Sequence, residues 1–200
     1  MTATIPTIPP LDEVYRYTKE QYLQLRDSGI LGDAEENLEF VEGLLLPKMS
    51  RKPPHDSTLD LLEYLIRKLL PEDWFVRTQR AVDLDRGQPE PDIAVVLGPA
   101  GRYVAHHPSP EEIAFLVEIS DTTLARDRSI KLMGYSRNGI TEYWIVNLVD
   151  RVVEVYTQPA TRDDGNPIYA LRKDYRTGQT IPVIVQGQEI GHLPIDSFLI

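Results

Sequence analysis

The sequence has no cysteine among its 200 residues. This absence excludes disulfide frameworks, cysteine-ligated zinc and iron–sulfur sites, and thiol nucleophiles. The sequence also lacks a run of about 18 apolar residues that would span a bilayer, and its first ten residues lack the basic and apolar regions of a secretory signal. These absences predict a cytoplasmic protein that has no membrane partner.

Positive charge is in deficit, because Lys and Arg number 21 whereas Asp and Glu number 31, which gives a net charge of −10. Such a chain does not bind a phosphate backbone through its overall charge, so any contact with nucleic acid must be local. A hydrophobic fraction of 42% and a charged fraction of 26% are typical of a globular chain. We predict a disordered, proline-rich tail over residues 1–12, followed by one domain over residues 13–200.

The first part of the chain has the signals of two helices separated by a pair of strands. Thr18 and Gln21 have the spacing of a capping box, which predicts a short helix after them. Apolar residues within 38–46 predict two strands joined by a tight turn. Asp56 or Ser57 is expected to cap a longer helix, in which leucines and isoleucine repeat at helical spacing.

The rest of the chain predicts a sheet with one crossover helix. We predict strands over residues 74–85, 92–97 and 113–119, a helix over 124–138 and a further strand over 142–147. The strand over 113–119 is almost continuously apolar, as expected for a central strand covered on both faces, and with the helix it begins a right-handed βαβ unit. The remaining strands are expected to be antiparallel: residues 152–158, 168–175 and 181–186. The pattern predicts a mixed α+β fold with a central sheet flanked by helices and extra antiparallel strands at the C-terminus.

A charged residue interrupts the most hydrophobic run in the chain. Glu118 lies near the end of the predicted central strand, where burial of a lone carboxylate costs several kcal/mol unless a cation or hydrogen-bond donors compensate it. Asp92 begins the preceding strand, and if the two strands are neighbours their carboxylates converge at one edge of the sheet. Two oxygen ligands with room for water suit Mg²⁺ or Mn²⁺ better than zinc.

A lysine on the crossover helix is the third element of this candidate site. At 100° per residue, Leu124, Lys131 and Tyr135 share one sector of the helix, so Lys131 is expected to face the sheet, where it needs an anion. Such a lysine can hold or deprotonate an attacking water while a metal polarises a phosphoryl oxygen. Glu39, from the earlier strand pair, is a fourth acidic candidate.

Each of these residues also has a structural interpretation. Asp92 can simply end a turn, Lys131 can pair with Asp127 one helical turn away, and Glu39 can be an ordinary surface charge. Among the histidines, His55 before a helix cap is more typical of a turn residue than of a general base. The adjacent histidines at 106–107 lack the spacing of a metal site.

Three segments resemble the Uma-type family of restriction endonucleases, a branch of the PD-(D/E)XK nuclease superfamily. They are LEFVEGLLLPKMSRKPPH over residues 38–55, PEPDIAVV over 89–96 and FLVEISDTTLARDRSIKLMGYSRNGITEYWIVN over 115–147. The resemblance covers about residues 18–198 and implies a restriction-endonuclease-like core.

The resemblance also implies roles for individual residues. Asp92 and Glu118 match the two motif acids, the backbone carbonyl of Ile119 would join the metal shell, and Glu39 matches an upstream acid. Ser120 stands where the superfamily's usual pattern has lysine, and the family's lysine on the following helix matches Lys131.

The leading hypothesis is a Mg²⁺-dependent (or Mn²⁺-dependent) endonuclease that cuts DNA with Glu39, Asp92, Glu118 and Lys131. The alternative is a catalytically silent protein of the same fold that binds nucleic acid or regulates another process, in keeping with the net charge of −10. A basic rim is a candidate track for nucleic acid, made of Arg77, Arg80, Arg126 and Arg128. A homodimer is a further expectation, with Tyr143 or Trp144 as candidate interface residues.

Overall fold

The computed structural model describes residues 14–199. The tail predicted over residues 1–12 lies outside the described residues. The fold is mixed α+β, as the sequence predicted. Within the described residues, no helix is long and apolar enough to cross a membrane.

A six-stranded mixed sheet forms the centre of the fold, with the strands in the order β3-β4-β5-β6-β7-β8. The strands are β3 (Trp74–Thr78), β4 (Ile93–Leu97), β5 (Ile113–Ser120), β6 (Glu142–Asn147), β7 (Val152–Thr161) and β8 (Pro167–Arg176). Neighbouring strands are antiparallel except β5 and β6, which are parallel and joined by a crossover helix. The predicted βαβ unit is therefore confirmed.

Two hairpins and three helices complete the described fold. The hairpins pair β1 (Leu38–Val41) with β2 (Leu44–Pro47), and β9 (Thr180–Val185) with β10 (Gln188–Pro194). The helices are α1 (Lys19–Asp27), α2 (Pro53–Leu69) and the composite crossover helix α3. Helix α3 consists of Leu124–Arg126, a π-helical turn over Asp127–Lys131, and Leu132–Arg137.

Some predicted boundaries are wrong for identifiable reasons. Helix α2 begins at Pro53 and not after Asp56 or Ser57, because proline lacks the N–H that the first helical turn leaves unbonded and its fixed φ suits that position. Strand β3 ends at Thr78, where Gln79 takes a left-handed φ of 52°. The predicted capping box between Thr18 and Gln21 is confirmed. Strand β10 was missed, because its alternation contains Gly, His and Pro.

The sheet is buried on both faces. Helix α2 and the β9–β10 hairpin cover one face, where Leu62, Val117 and Trp144 pack together. Helix α3 covers the other face, where Tyr135 and Tyr143 pack edge to face with ring centroids 4.9 Å apart. Tyr143 and Trp144 are completely buried. Their predicted role at a dimer interface is therefore wrong.

Glu142 is a buried carboxyl in this core, where its Oε1 accepts a hydrogen bond of 2.6 Å from Trp144 Nε1. Burial raises the pKa of Glu142 from an ordinary 4.5 to about 7, although the Trp144 bond opposes that shift. The folded protein therefore holds this proton more tightly than the unfolded chain does. The Glu142 contribution to stability is complete below pH 4.5 and is lost as the pH rises to about 7.

We expect Glu142→Gln to stabilise the protein at pH 8 by about 3 kcal/mol, since glutamine keeps the acceptor oxygen but cannot ionise. Urea unfolding of the wild type and the variant at pH 4.5 and pH 8 measures the effect. The difference between the two proteins should be largest at pH 8 and nearly vanish at pH 4.5. The matched control is Glu72→Gln on the exposed surface, and an equal change in both variants would exclude burial as the cause.

Candidate active site

The pairing of β4 with β5 brings the two predicted motif acids together. Ile93 lies opposite Val117 in the antiparallel register, so Asp92 and Glu118 are the next residues of their strands at the same end of the sheet. Asp92 Oδ2 accepts a hydrogen bond of 2.8 Å from the backbone N–H of Ile119. Both carboxylates are buried, with 7% of Asp92 and 4% of Glu118 exposed. The two strands are therefore adjacent in the sheet, which is the condition under which the sequence analysis expected their carboxylates to converge.

Helix α3 places two hydrogen-bond donors on Glu118. Lys131 Nζ lies 2.8 Å from Glu118 Oε1, and Tyr135 donates its hydroxyl to the same oxygen at 2.7 Å. Lys131 Nζ also lies 3.0 Å from Glu39 Oε1. Lys131, the last residue of the π-helical turn, and Tyr135 are four residues apart, which puts both on one face of the helix.

The structural interpretation that paired Lys131 with Asp127 is wrong. The Oδ2 atom of Asp127 instead accepts hydrogen bonds of 2.6 Å from the hydroxyls of Ser120 and Thr123. The Oδ1 atom of Asp127 is buried and has no hydrogen-bond partner among the described residues. Burial raises the pKa of this carboxyl, although the charge of Lys131 opposes the shift.

Glu39 reaches the cleft from the β1–β2 hairpin and is buried, so its interpretation as a surface charge is wrong. Its Oε1 accepts a hydrogen bond of 2.8 Å from the Glu90 N–H. Main-chain bonds dock the hairpin, since the Gln88 N–H donates to the Phe40 carbonyl at 2.8 Å. Beside these contacts the hairpin passes so close to Gly87 that a Cβ there would lie 2.7 Å from the Phe40 oxygen. Only glycine fits this position without movement of the hairpin.

Burial and neighbouring groups shift the pKa values of the cleft residues in opposite directions. Burial alone would lower the pKa of Lys131, but the facing carboxylates of Glu118 and Glu39 raise it well above its usual range. Lys131 is therefore an ammonium at neutral pH. Burial would raise the pKa of Asp92, yet hydrogen bonds from His55 and from Ile119 N–H lower it, so Asp92 is ionised.

His55 is a site residue that sequence reasoning missed. In the first turn of α2 it is buried, and its Nε2 lies 3.1 Å from Asp92 Oδ2 while its Nδ1 lies 3.3 Å from Asp56 Oδ1. Burial opposes protonation of His55, but hydrogen bonds with the two aspartates raise its pKa overall. Its place near a predicted helix start was visible in the sequence, but nothing there indicated that α2 packs on the sheet and brings His55 to Asp92.

These residues line a cleft of about 680 Å³, including its open mouth. Acidic side chains and Lys131 form the floor, whereas the mouth carries several cations, namely Lys48, Arg51, Lys52 and Arg126. Lys48 pairs with Glu90 at 2.9 Å and Lys52 pairs with Asp121 at 2.8 Å. Arg128, predicted in the basic rim, instead forms an ion pair with the buried carboxylate of Glu154. It is therefore a structural residue.

The chemistry of the cleft fits a divalent cation with oxygen ligands. Four buried carboxylates face one buried ammonium, that of Lys131, so the floor is short of positive charge. No group of three or more acidic, histidine or cysteine side chains within residues 14–199 is arranged to hold a metal. The expected shell needs only two such side chains, Asp92 and Glu118, because its third ligand is the carbonyl of Ile119. Carboxylate and carbonyl oxygens are the donors that Mg²⁺ and Mn²⁺ prefer.

The mixed sheet with a helix on each face confirms the predicted fold class. The chain belongs to the Uma2 family, because residues 19–190 match the model of that family, described as "Putative restriction endonuclease". The resemblance identified in the sequence is thereby confirmed.

A solved structure shares the fold. It is described as a "putative nuclease belonging to DUF820 from Anabaena variabilis", and it matches with a TM-score of 0.65 and 14% sequence identity. The match covers 91% of this chain and 97% of the other chain. At this identity the likeness concerns the fold alone. No curated protein matches the sequence.

Proposed function

We propose that this protein is a metal-dependent endonuclease that hydrolyses phosphodiester bonds in DNA. The observation that carries the proposal is the contact of buried Lys131 with Glu118 at 2.8 Å, in a solvent-open cleft that also contains Asp92. An acid, a second acid and a lysine around one cleft supply the groups that metal-assisted phosphodiester hydrolysis needs. Membership of a family described as restriction endonucleases supports the same reaction.

Asp92, Glu118 and the Ile119 carbonyl would hold Mg²⁺ or Mn²⁺. When bound, the ion polarises a phosphoryl oxygen and stabilises the leaving group. Lys131 holds and orients the attacking water and stabilises negative charge on the phosphoryl oxygens. Its neighbours raise its pKa, which favours the charged form that both roles need. Glu39 fixes the ammonium from the opposite side at 3.0 Å.

Incubation of the purified protein with plasmid, linear duplex, single-stranded DNA and RNA tests this proposal. Each substrate is supplied with EDTA, Mg²⁺ or Mn²⁺. We expect cleavage of DNA with either metal and none with EDTA, and the Lys131→Met variant controls for a contaminating nuclease. Cleavage in EDTA, or equal cleavage by the wild type and by Lys131→Met, would show that the proposed site does not carry out the reaction.

One observation favours a catalytically silent protein as the second candidate. Asp92 Oδ2 and Glu118 Oε1 each engage two partners already, so one oxygen of each acid is satisfied by the protein's own groups. This candidate predicts binding of nucleic acid without cleavage in the same experiment. The homodimer and the cytoplasmic location expected from the sequence remain proposals. Sedimentation velocity at several concentrations tests the dimer.

A further inference from the structure

Three arginines meet around Gln79, where the chain leaves β3. Arg51 Nη1 donates to Gln79 Oε1 at 2.6 Å, and Arg80 Nη1 donates to the Gln79 carbonyl at 3.2 Å. Arg77 lies two residues before Gln79, and its guanidinium carbon is 5.0 Å from the ring centroid of Tyr103. We call Arg51, Arg77 and Arg80 the arginine cluster.

The arginine cluster is not neutralised by the part of the chain that the structure describes. Within residues 14–199, no carboxylate lies within ion-pair distance of its three members. The Nε atom of Arg77 is buried and lacks a hydrogen-bond partner in the same range. Partial burial lowers the pKa of Arg77; Tyr103 opposes the shift and the charge of Arg80 adds to it. Like charges thus lie close together without a counter-charge, which costs free energy unless an anion completes the arrangement.

The cluster adjoins the proposed active site. Gln79 Nε2 lies 3.4 Å from Asp92 Oδ1, so one side chain links Arg51 to a candidate metal ligand. Arg77 lies opposite Ala94, which lies opposite Leu116, so Arg77 projects from the same sheet face as Glu118 two strands away. Arg51 also lines the cleft, so the cluster begins at the cleft wall.

We propose that the arginine cluster binds the phosphate backbone of the polynucleotide beside the scissile bond. Arginine matches phosphate oxygens with two parallel N–H donors, which suits this anion better than a single point charge does. Three local cations also explain how a chain with a net charge of −10 can hold a polyanion. The proposal rests on the proposed function. It revises the predicted rim, since Arg51 joins Arg77 and Arg80 while Arg128 is excluded.

Fluorescence anisotropy with a labelled 30-base-pair duplex in EDTA measures binding without cleavage. The triple variant Arg51→Gln, Arg77→Gln, Arg80→Gln is compared with the wild type from 50 to 300 mM salt. We expect at least about 10-fold weaker binding at 100 mM salt, and a slope of log affinity against log salt that is smaller by about 2 to 3, near 0.9 for each lost phosphate contact. The variant should keep its fold, which circular dichroism checks, because the replaced groups make no ion pairs within residues 14–199.

The matched control is Arg162→Gln with Arg176→Gln, two exposed arginines that do not line the cleft. The control should bind as the wild type does. An unchanged slope in the triple variant, an equal loss in the control, or a wild type that does not bind the duplex would overturn the inference. If the wild type cleaves DNA but the salt slope of the triple variant is unchanged, the proposed function holds and the inference fails. If binding depends on the three arginines but the wild type never cleaves DNA, the inference about binding holds and the proposed function fails.

Discussion

Replacement of Lys131 by methionine should lower the rate of cleavage by about 10²- to 10³-fold, the range for removal of one donor that stabilises developing charge. The same change should destabilise the fold at pH 8 by about 3 to 5 kcal/mol, because a buried carboxylate loses its cation. Methionine matches the length of lysine and fills its space, so the loss reports charge and not a cavity. Initial rates and urea unfolding measure the two effects.

The pH dependence separates these two roles of Lys131. Burial raises the pKa of Glu118, and Lys131 opposes that shift, so removal of the lysine raises it further. Glu118 then takes up a proton more readily, and the stability deficit of the variant should shrink as the pH is lowered. The double variant Lys131→Met, Glu118→Gln should regain stability at pH 8 but not activity. Lys68→Met on the exposed face of α2 is the control, and wild-type cleavage by Lys131→Met would refute the role of this lysine.

Replacement of Asp92 by asparagine should abolish metal binding while the fold remains. Asparagine keeps an oxygen that accepts from the Ile119 N–H, which Asp92 does at 2.8 Å, but it lacks the charge that holds a divalent cation. We expect the affinity for Mn²⁺ to fall by more than about 100-fold, beyond the usual loss for a group that only supports a metal ligand. Electron paramagnetic resonance of free Mn²⁺ measures this affinity without reference to cleavage.

The Asp92→Asn variant should also fail to cleave DNA at any concentration of Mg²⁺ that the wild type can use. Asp60→Asn, on the exposed surface of α2, is the control for loss of one negative charge. Equal Mn²⁺ affinity in the wild type and in Asp92→Asn would show that Asp92 is not a ligand. If Asp92→Asn binds Mn²⁺ normally but does not cleave DNA, Asp92 positions the substrate and is not a metal ligand.

Local patterns in the sequence predicted the elements that carry the candidate site. The apolar run with one charge identified β5, and the adjacent Pro-Asp pair marked the start of β4. Once these two strands pair, Asp92 and Glu118 lie at the same end of the sheet. Helical spacing placed Lys131 and Tyr135 on one face, and both contact Glu118. The functional roles of these residues remain predictions.

Contacts between distant segments could not be predicted from the sequence. His55 meets Asp92 only because α2 packs on the sheet, and no local pattern encodes that docking. Arg128 looked like a surface cation because its partner, Glu154, lies on β7 beyond the crossover. Trp144 was predicted as an interface residue because local sequence does not show whether an aromatic side chain on a strand is covered by another part of the same chain. In the structure it is covered.

The close approach at Gly87 has a consequence for how the protein tolerates mutation. Glu39 holds Lys131 from a hairpin whose position depends on main-chain bonds, which almost any sequence can make. A strict demand lies at Gly87, where even a methyl group would meet the Phe40 oxygen. Gly43 in the hairpin turn makes a second, with a φ of +79° and the Tyr17 oxygen 2.9 Å from a Cβ there. A residue with no side chain and no charge therefore controls the geometry of an acid–lysine contact. The smallest possible addition at a position that carries no functional atom would therefore disturb the contact between Glu39 and Lys131.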